Sequence, residues 1–203
     1  MADLIKHLDG VKKSVQNDAD PKRWPRYAGY FALPRLIFCY VDYLGLLYVG
    51  KLSKSRRLPR KGTSWEAVKF IKKFLGRFDK RYRENAGLLY DMFRNGTVHL
   101  YQPKVLHLKK GKINYLIGHP RLMRWRKEKY RHLEYRNSYL AISTTALFKH
   151  LVRAIEAFAK YASQNPRCLR QGNKILRAIE RGFDLTDLNE YAKKSELVLR
   201  LST

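Results

Sequence analysis

An arginine, an amide and a histidine stand close together in the segment Arg94-Asn95-Gly96-Thr97-Val98-His99. Arginine keeps its charge and presents a planar fork of N–H donors that can bind two phosphate oxygens. Histidine titrates near neutral pH, so it can take or give a proton during a reaction. An amide beside them can orient either group. These residue types suit the metal-independent cleavage of RNA, which carries its own 2′-hydroxyl nucleophile.

The spacing from arginine to histidine is by itself weak information. With 21 arginines and six histidines, about two pairs four to six residues apart are expected by chance. Two occur, Arg94…His99 and Arg126…His132. Lys127 follows the second arginine inside a basic stretch, and we interpret that pair as a chance match. The first pair differs because Asn95 directly follows the arginine at the end of an amphipathic segment.

Two structures compete for this motif. Asn95-Gly96, followed by alternating residues, is a strong hairpin signal that would make His99 a strand residue. The stretch before it is helical in pattern and too long for a strand, so we predict a helix from about Arg83 through the motif. A third interpretation makes His99 an ordinary half-buried histidine.

The balance of charge favours a polyanionic partner. The chain has 43 Lys and Arg against 17 Asp and Glu, a formal net charge of +26, and RNA is the expected partner. Two stretches are dense in cations, Lys51 to Lys61 and Arg121 to Arg136. The second contains Trp125, Tyr130 and Tyr135, which either stack on bases or belong to the core under a solvated helix face. The candidate nucleic-acid-binding residues are Arg56, Arg57, Arg124, Arg126, Lys127 and Arg131.

Cysteine usage and hydropathy indicate a soluble, cytoplasmic protein. The two cysteines lie far apart and suggest no disulfide framework, and Cys39, in an apolar run, is interpreted as a small hydrophobe. The apolar run from Phe31 to Val49 contains Pro34, an arginine and Asp42, so we predict a core helix interrupted at the proline and no membrane span. Asp42 is predicted to be a satisfied buried polar group. His99, His107 and His119 lack a carboxylate cluster, so no metal and no cofactor are expected.

Hydrophobic periodicity predicts an all-α fold in a single domain, residues 1–203. The expected architecture is a helical bundle of about five to seven helices. A small β-hairpin is inserted near residues 105–117, where two apolar runs flank a lysine-rich turn.

The segment from Tyr90 to His99 resembles the signature of the HEPN superfamily, an arginine, a polar residue and a histidine late in a helix. The segment from Tyr40 to Gly45 is similar to the helix that precedes this motif in some uncharacterised bacterial members. The resemblance implies a metal-independent endoribonuclease, and many members are toxins or antiviral defence effectors that act as homodimers. By that resemblance Arg94 holds the scissile phosphate, His99 handles the proton and Asn95 supports either.

Two features lie outside this pattern, the hairpin and the basic segment 119–136. Because the superfamily contains members that have lost catalysis, a non-catalytic RNA- or DNA-binding helical protein is the alternative. The excess of positive charge is also compatible with an acidic protein partner, such as an antitoxin.

Overall fold

The structure, a computed structural model, describes residues 3–23, 32–51, 64–95, 105–108, 111–118, 124–125, 128–129 and 131–181. The described part contains six α-helices, α1 to α6: Leu4–Asp18, Ala32–Val49, Ser64–Lys73, Arg81–Leu89, Thr144–Gln164 and Pro166–Glu180. Helix α4 continues directly as a π-helix, Tyr90–Asn95, and 3₁₀ turns occupy Pro21–Arg23 and Leu75–Arg77. The predicted all-α bundle with a small β insertion is confirmed.

The helix periodicity read from the sequence matches the buried faces. In α1 the buried residues are Leu4, Leu8, Val11 and Val15, and the side chain of Asp3 caps the first turn. In α5 the predicted stripe is entirely buried: Leu147, Leu151, Ala154, Ile155, Phe158 and Ala162. The Asn165 side chain accepts the N–H of Cys168, so the residue that ends α5 also caps α6.

Helix α2 runs through the centre of the bundle and contacts α3, α5 and α6. The predicted interruption at Pro34 is wrong. The helix begins at Ala32, so the proline lies in the first turn, where its missing N–H breaks no hydrogen bond. Cys39, interpreted as a small hydrophobe of the apolar run, is exposed.

By length and composition α2 is the one helix in the described part of the chain that could cross a membrane. Half of that apolar window is buried inside the protein, and a core helix of a soluble protein passes the same test.

The described strands are β1 to β6: Leu106–Leu108, Gly111–Gly118, Arg124–Trp125, Glu128–Lys129, Tyr135–Arg136 and Tyr139–Ser143. Strands β1 and β2 are antiparallel, which confirms the hairpin predicted near residues 105–117. They join a four-stranded sheet of order β1-β2-β6-β5, in which β2 and β6 are parallel. Strands β3 and β4 form a separate antiparallel pair.

The basic segment before β6 is not a helix face in its described residues, so that interpretation is wrong. Arg124–Trp125 pairs with Glu128–Lys129, and Tyr135–Arg136 pairs with β6. Asn137 and Ser138 connect β5 to β6, and both have positive φ, as a tight two-residue hairpin turn requires.

Candidate functional site

The chain that leads to the predicted motif is helical as far as Asn95. Residues Tyr90–Asn95 form a π-helix continuous with α4, so the hairpin alternative does not hold for the residues before Gly96. π-Helical turns are rare, and those found within α-helices are frequently located at functional sites. The turn ends on the predicted Arg94 and Asn95.

Arg94 is held against the central helix by two neighbouring contacts. Its Nε–H donates to Oδ2 of Asp42, which forms an ion pair with it. One residue earlier, the ring of Phe93 stacks on Phe38, with 6.0 Å between centroids and 14° between planes. Phe38 and Asp42 are four residues apart on α2 and so lie on one face. Apolar packing therefore fixes the turn on which the guanidinium sits.

The ion pair is largely removed from solvent. The side chain of Asp42 is 13% exposed and that of Arg94 is 24% exposed. Burial acts to lower the pKa of the Arg94 guanidinium, and the hydrogen bond and charge of Asp42 outweigh it, so the pKa lies above its ordinary value. The second carboxylate oxygen, Oδ1, is buried without a hydrogen-bond partner in the described part of the chain. Asp42 is therefore half-buried, with one carboxylate oxygen paired and the other unpaired among the described residues, so the prediction of a satisfied buried polar group is only partly met.

The other predicted site residues are located as follows. Asn95 has a described backbone, and His99 lies outside the described residues. Arg56, Arg57, Arg126 and Lys127 also lie outside them, and Arg124 is described in its backbone only. Arg131 is exposed, and its N–H donates to Oε2 of Glu134 at 2.6 Å. The structure thus positions Arg94 and leaves the rest of the motif as a prediction.

A second polar cluster, which sequence reasoning missed, joins three separate segments of the chain. The hydroxyl of Tyr82, on α4, lies 2.7 Å from Nε2 of His132 and 3.2 Å from Nδ1 of His150 on α5. Tyr82 is 1% exposed, so these nitrogens are its means of satisfying a buried hydroxyl. We call these three residues the His-Tyr-His cluster.

Hydrogen-bond accounting assigns the protons of this cluster. The N–H of Ser143 donates to Nδ1 of His132 at 3.1 Å, so the His132 proton must be on Nε2. That Nε2–H donates to the Tyr82 hydroxyl, whose own proton is then free to donate to Nδ1 of His150. Both histidines are therefore neutral, and the proton of His150 is on Nε2.

The pKa values agree with this assignment. Burial, followed by the neighbouring His150, lowers the pKa of His132 from 6.5 to about 3. Burial also lowers the pKa of His150 and raises that of Tyr82 well above its ordinary value. All three groups consequently stay neutral near pH 7.

The surroundings of the cluster are ordered and charged. Asp79 accepts hydrogen bonds from Nη2 of Arg81 at 2.6 Å and from its Nε at 2.9 Å, so the charges of these two side chains neutralise each other. Leu133 has φ of 56° and is buried, and its N–H donates to the carbonyl of Ala141 at 2.7 Å. A positive φ is strained for leucine, so packing and this bond must hold the backbone beside His132.

No short motif announces this cluster. Tyr82 and His132 are 50 residues apart, and Tyr82 and His150 are 68 apart. We interpreted Arg126…His132 as a chance match, and as an arginine–histidine motif it stays untested because Arg126 is not described. His132 itself nevertheless occupies a built polar site. The one available signal was Tyr82, which shares the buried face of α4 with Ala86 and Leu89.

The described residues include no group of three or more His, Cys, Asp or Glu side chains placed to hold a metal ion. Comparison with protein-family models, curated proteins and solved structures gave no match for this chain.

Proposed function

We propose that this protein is a HEPN-like, metal-independent endoribonuclease in which Arg94 binds the scissile phosphate. The observation that carries the proposal is the ion pair between Arg94 and Asp42, which holds a guanidinium at the end of a helical segment directly before Asn95. A positioned cation loses little entropy when it binds a phosphate. The formal charge of +26 supports RNA as the substrate.

In the proposed reaction the 2′-hydroxyl of RNA attacks the adjacent phosphorus and the bond to the 5′-oxygen breaks. The hydroxyl proton passes to a base, and the leaving oxygen takes a proton from an acid, so a 2′,3′-cyclic phosphate and a 5′-hydroxyl are formed. His99 is the proposed proton carrier, and Arg94 stabilises the charge on the phosphoryl oxygens. Asn95 orients one of these two groups. A homodimer would bring two copies of the motif to one cleft, one for each proton transfer.

Asp42 is the proposed positioning residue for Arg94. It engages the Nε–H, which leaves the N–H bonds at the end of the fork, one from each terminal amino group, for a phosphate. Two parallel N–H bonds from such a fork match the oxygens of a phosphate. We further propose a cytoplasmic role as a toxin or defence effector, restrained by an acidic partner.

The second candidate is a non-catalytic nucleic-acid-binding protein in which the motif is structural. It is favoured by the same ion pair, because a guanidinium already neutralised by a largely buried carboxylate can serve to join α2 to the π-helix. This protein would bind RNA with an affinity that falls steeply as salt rises, and would not cleave it.

The test is cleavage of total RNA by purified protein in the presence of EDTA, compared with His99→Ala and Arg94→Ala. If the protein is a metal-independent nuclease, the wild type cleaves RNA in EDTA and both variants do not. Lys160→Ala, at an exposed site on α5, is the matched control for lost positive charge. A requirement for a divalent metal, or undiminished cleavage by His99→Ala, would refute the mechanism. RNA binding without cleavage would support the second candidate.

A further inference from the structure

A cavity of about 460 Å³ lies beside His150, between the last turn of α1 and the first turns of α5. Its size is that of a small-molecule site. Among the described residues that line it, the charged or titratable ones are Lys149, His150 and Arg153, and none is acidic. The cavity also meets the N-terminal turn of α5, where the helix dipole favours negative charge. Its electrostatics therefore select an anion.

Two of these polar groups are held in place by one ring. The guanidinium carbon of Arg153 lies 4.3 Å from the centroid of the Phe78 ring. The ring of His150 stacks on the same phenylalanine, with 6.1 Å between centroids and 19° between planes. Such contacts restrict the side chains before any ligand arrives, and this lowers the entropy cost of binding.

The His-Tyr-His cluster determines what His150 offers to a ligand. Its Nδ1 accepts the hydroxyl proton of Tyr82, so the nitrogen that remains for the cavity is Nε2, and it carries a hydrogen. His150 is thus a fixed, neutral hydrogen-bond donor. A neutral donor beside two cations is a set of groups that suits phosphate oxygens.

The rest of the lining combines the polar side chains of Gln16, Ser143 and Thr145 with an apolar surface. Ala146 and Val152 line it together with the half-buried aromatic ring of Phe148. An aromatic ring can stack on a nucleobase whatever its identity. The cavity thus combines an anion-binding side with a surface for a flat, apolar group.

We propose that this cavity is a nucleotide-binding site. Arg153 and Lys149 would neutralise the phosphate, Nε2–H of His150 would donate to it, and the base would lie against Phe148. Tyr82 acts as a positioning residue through His150. The phosphate belongs either to a free mononucleotide or to a strand of RNA, and the arms of the experiment distinguish these two sources.

The site is separate from the one at Arg94 and does not depend on RNA cleavage. Tyr82 and Arg94 belong to one continuous helical segment, twelve residues apart. At a rise of about 1.5 Å per residue this separates them by about 18 Å. The two sites can therefore be removed independently.

The experiment is a titration followed by the ring ¹H–¹⁵N signals of the histidines at about 0.15 M salt, where bulk electrostatics are screened. The probes are inorganic phosphate, AMP and a short single-stranded oligoribonucleotide. The test variant is Lys149→Ala with Arg153→Ala, both at exposed positions. The control is Lys160→Ala, seven residues beyond Arg153 and so on the same face of α5, but outside the cavity lining.

We expect saturable shifts of the Nε2–H signal of His150 and an affinity that falls about tenfold or more in the double variant, as the loss of charge-assisted hydrogen bonds implies. The Lys160→Ala control should stay within about twofold of wild type, since an exposed charge outside the site contributes little. Tyr82→Phe should weaken binding and move the proton of His150 between its ring nitrogens.

Binding of AMP in competition with phosphate would assign the site to free nucleotides. Binding of the oligonucleotide alone, with the same dependence on Arg153, would assign it to RNA. The proposal is overturned if no probe shifts His150, or if Lys160→Ala weakens binding as much as the double variant does. Arg94→Ala should abolish any RNA cleavage without changing AMP affinity, so the proposed function and this site fail separately.

Discussion

Replacing Tyr82 with phenylalanine deletes one hydroxyl and keeps the ring that packs in the core. Tyr82 is 1% exposed, and its hydroxyl bonds to His132 at 2.7 Å and to His150 at 3.2 Å. The substitution therefore leaves the Nε2–H of His132 and the Nδ1 of His150 without their partner. Its effect reports on the cluster with little contribution from lost packing.

The expected cost follows from the burial of the two nitrogens. A buried donor or acceptor left unpaired costs about 1–3 kcal/mol. His132 is half-buried, but its Nε2 meets the fully buried hydroxyl of Tyr82, so water has little room to replace that hydroxyl. His150 lines the cavity, and water can reach it. We therefore expect the free energy of unfolding to fall by about 2 kcal/mol, most of it from His132.

Urea denaturation measures this loss. With a slope of about 2 kcal/mol/M, the midpoint should fall by about 1 M. Tyr135→Phe makes the same chemical change on a ring that is 56% exposed, and should leave the midpoint within about 0.25 M of wild type. A midpoint for Tyr82→Phe equal to that of Tyr135→Phe would refute the hydrogen-bonded chain and the proton assignment that rests on it.

Three further outcomes are expected. Because the folded pKa of His132, about 3, lies below its unfolded value of 6.5, its neutral form stabilises the protein fully above pH 6.5, and this contribution is lost as the pH falls towards 3. Urea titrations across that range should show that the free energy of unfolding changes with pH by about 1.4 kcal/mol per pH unit more in wild type than in His132→Gln. Equal pH dependence in the two proteins would contradict the assignment. Asp42→Asn should lower the free energy of unfolding by about 1–3 kcal/mol, which is less than for a fully buried pair because Arg94 is 24% exposed. A double-mutant cycle with Arg94→Gln should give a favourable coupling energy, and a coupling energy of zero would show that the ion pair does not form. RNA affinity measured against salt should fall steeply on a log–log plot, and a flat line would remove RNA as the expected partner.

The sequence by itself determined the helices and their buried faces. Leu4, Leu8, Val11 and Val15 repeat at helical spacing, and the residues of the α5 stripe do the same, so each face was readable from neighbours within a few turns. The hairpin near residues 105–117 was equally local. The predicted interruption at Pro34 was wrong because a proline breaks the interior of a helix but not its first turn. Whether Pro34 lies in the first turn depends on where α2 begins, which the local sequence did not specify.

Only the tertiary structure decided which polar groups meet. Asp42 and Arg94 are 52 residues apart, and the His-Tyr-His cluster draws on α4, α5 and the segment before β6. The parallel pairing of β2 with β6 could not be predicted from the local sequence either. Ser143, whose N–H donates to His132, is the last residue of β6. Hydrophobic periodicity specifies which face of an element turns inward. A hydrogen bond between distant side chains depends on how those elements then pack, and on the low dielectric that makes an unpaired buried group costly.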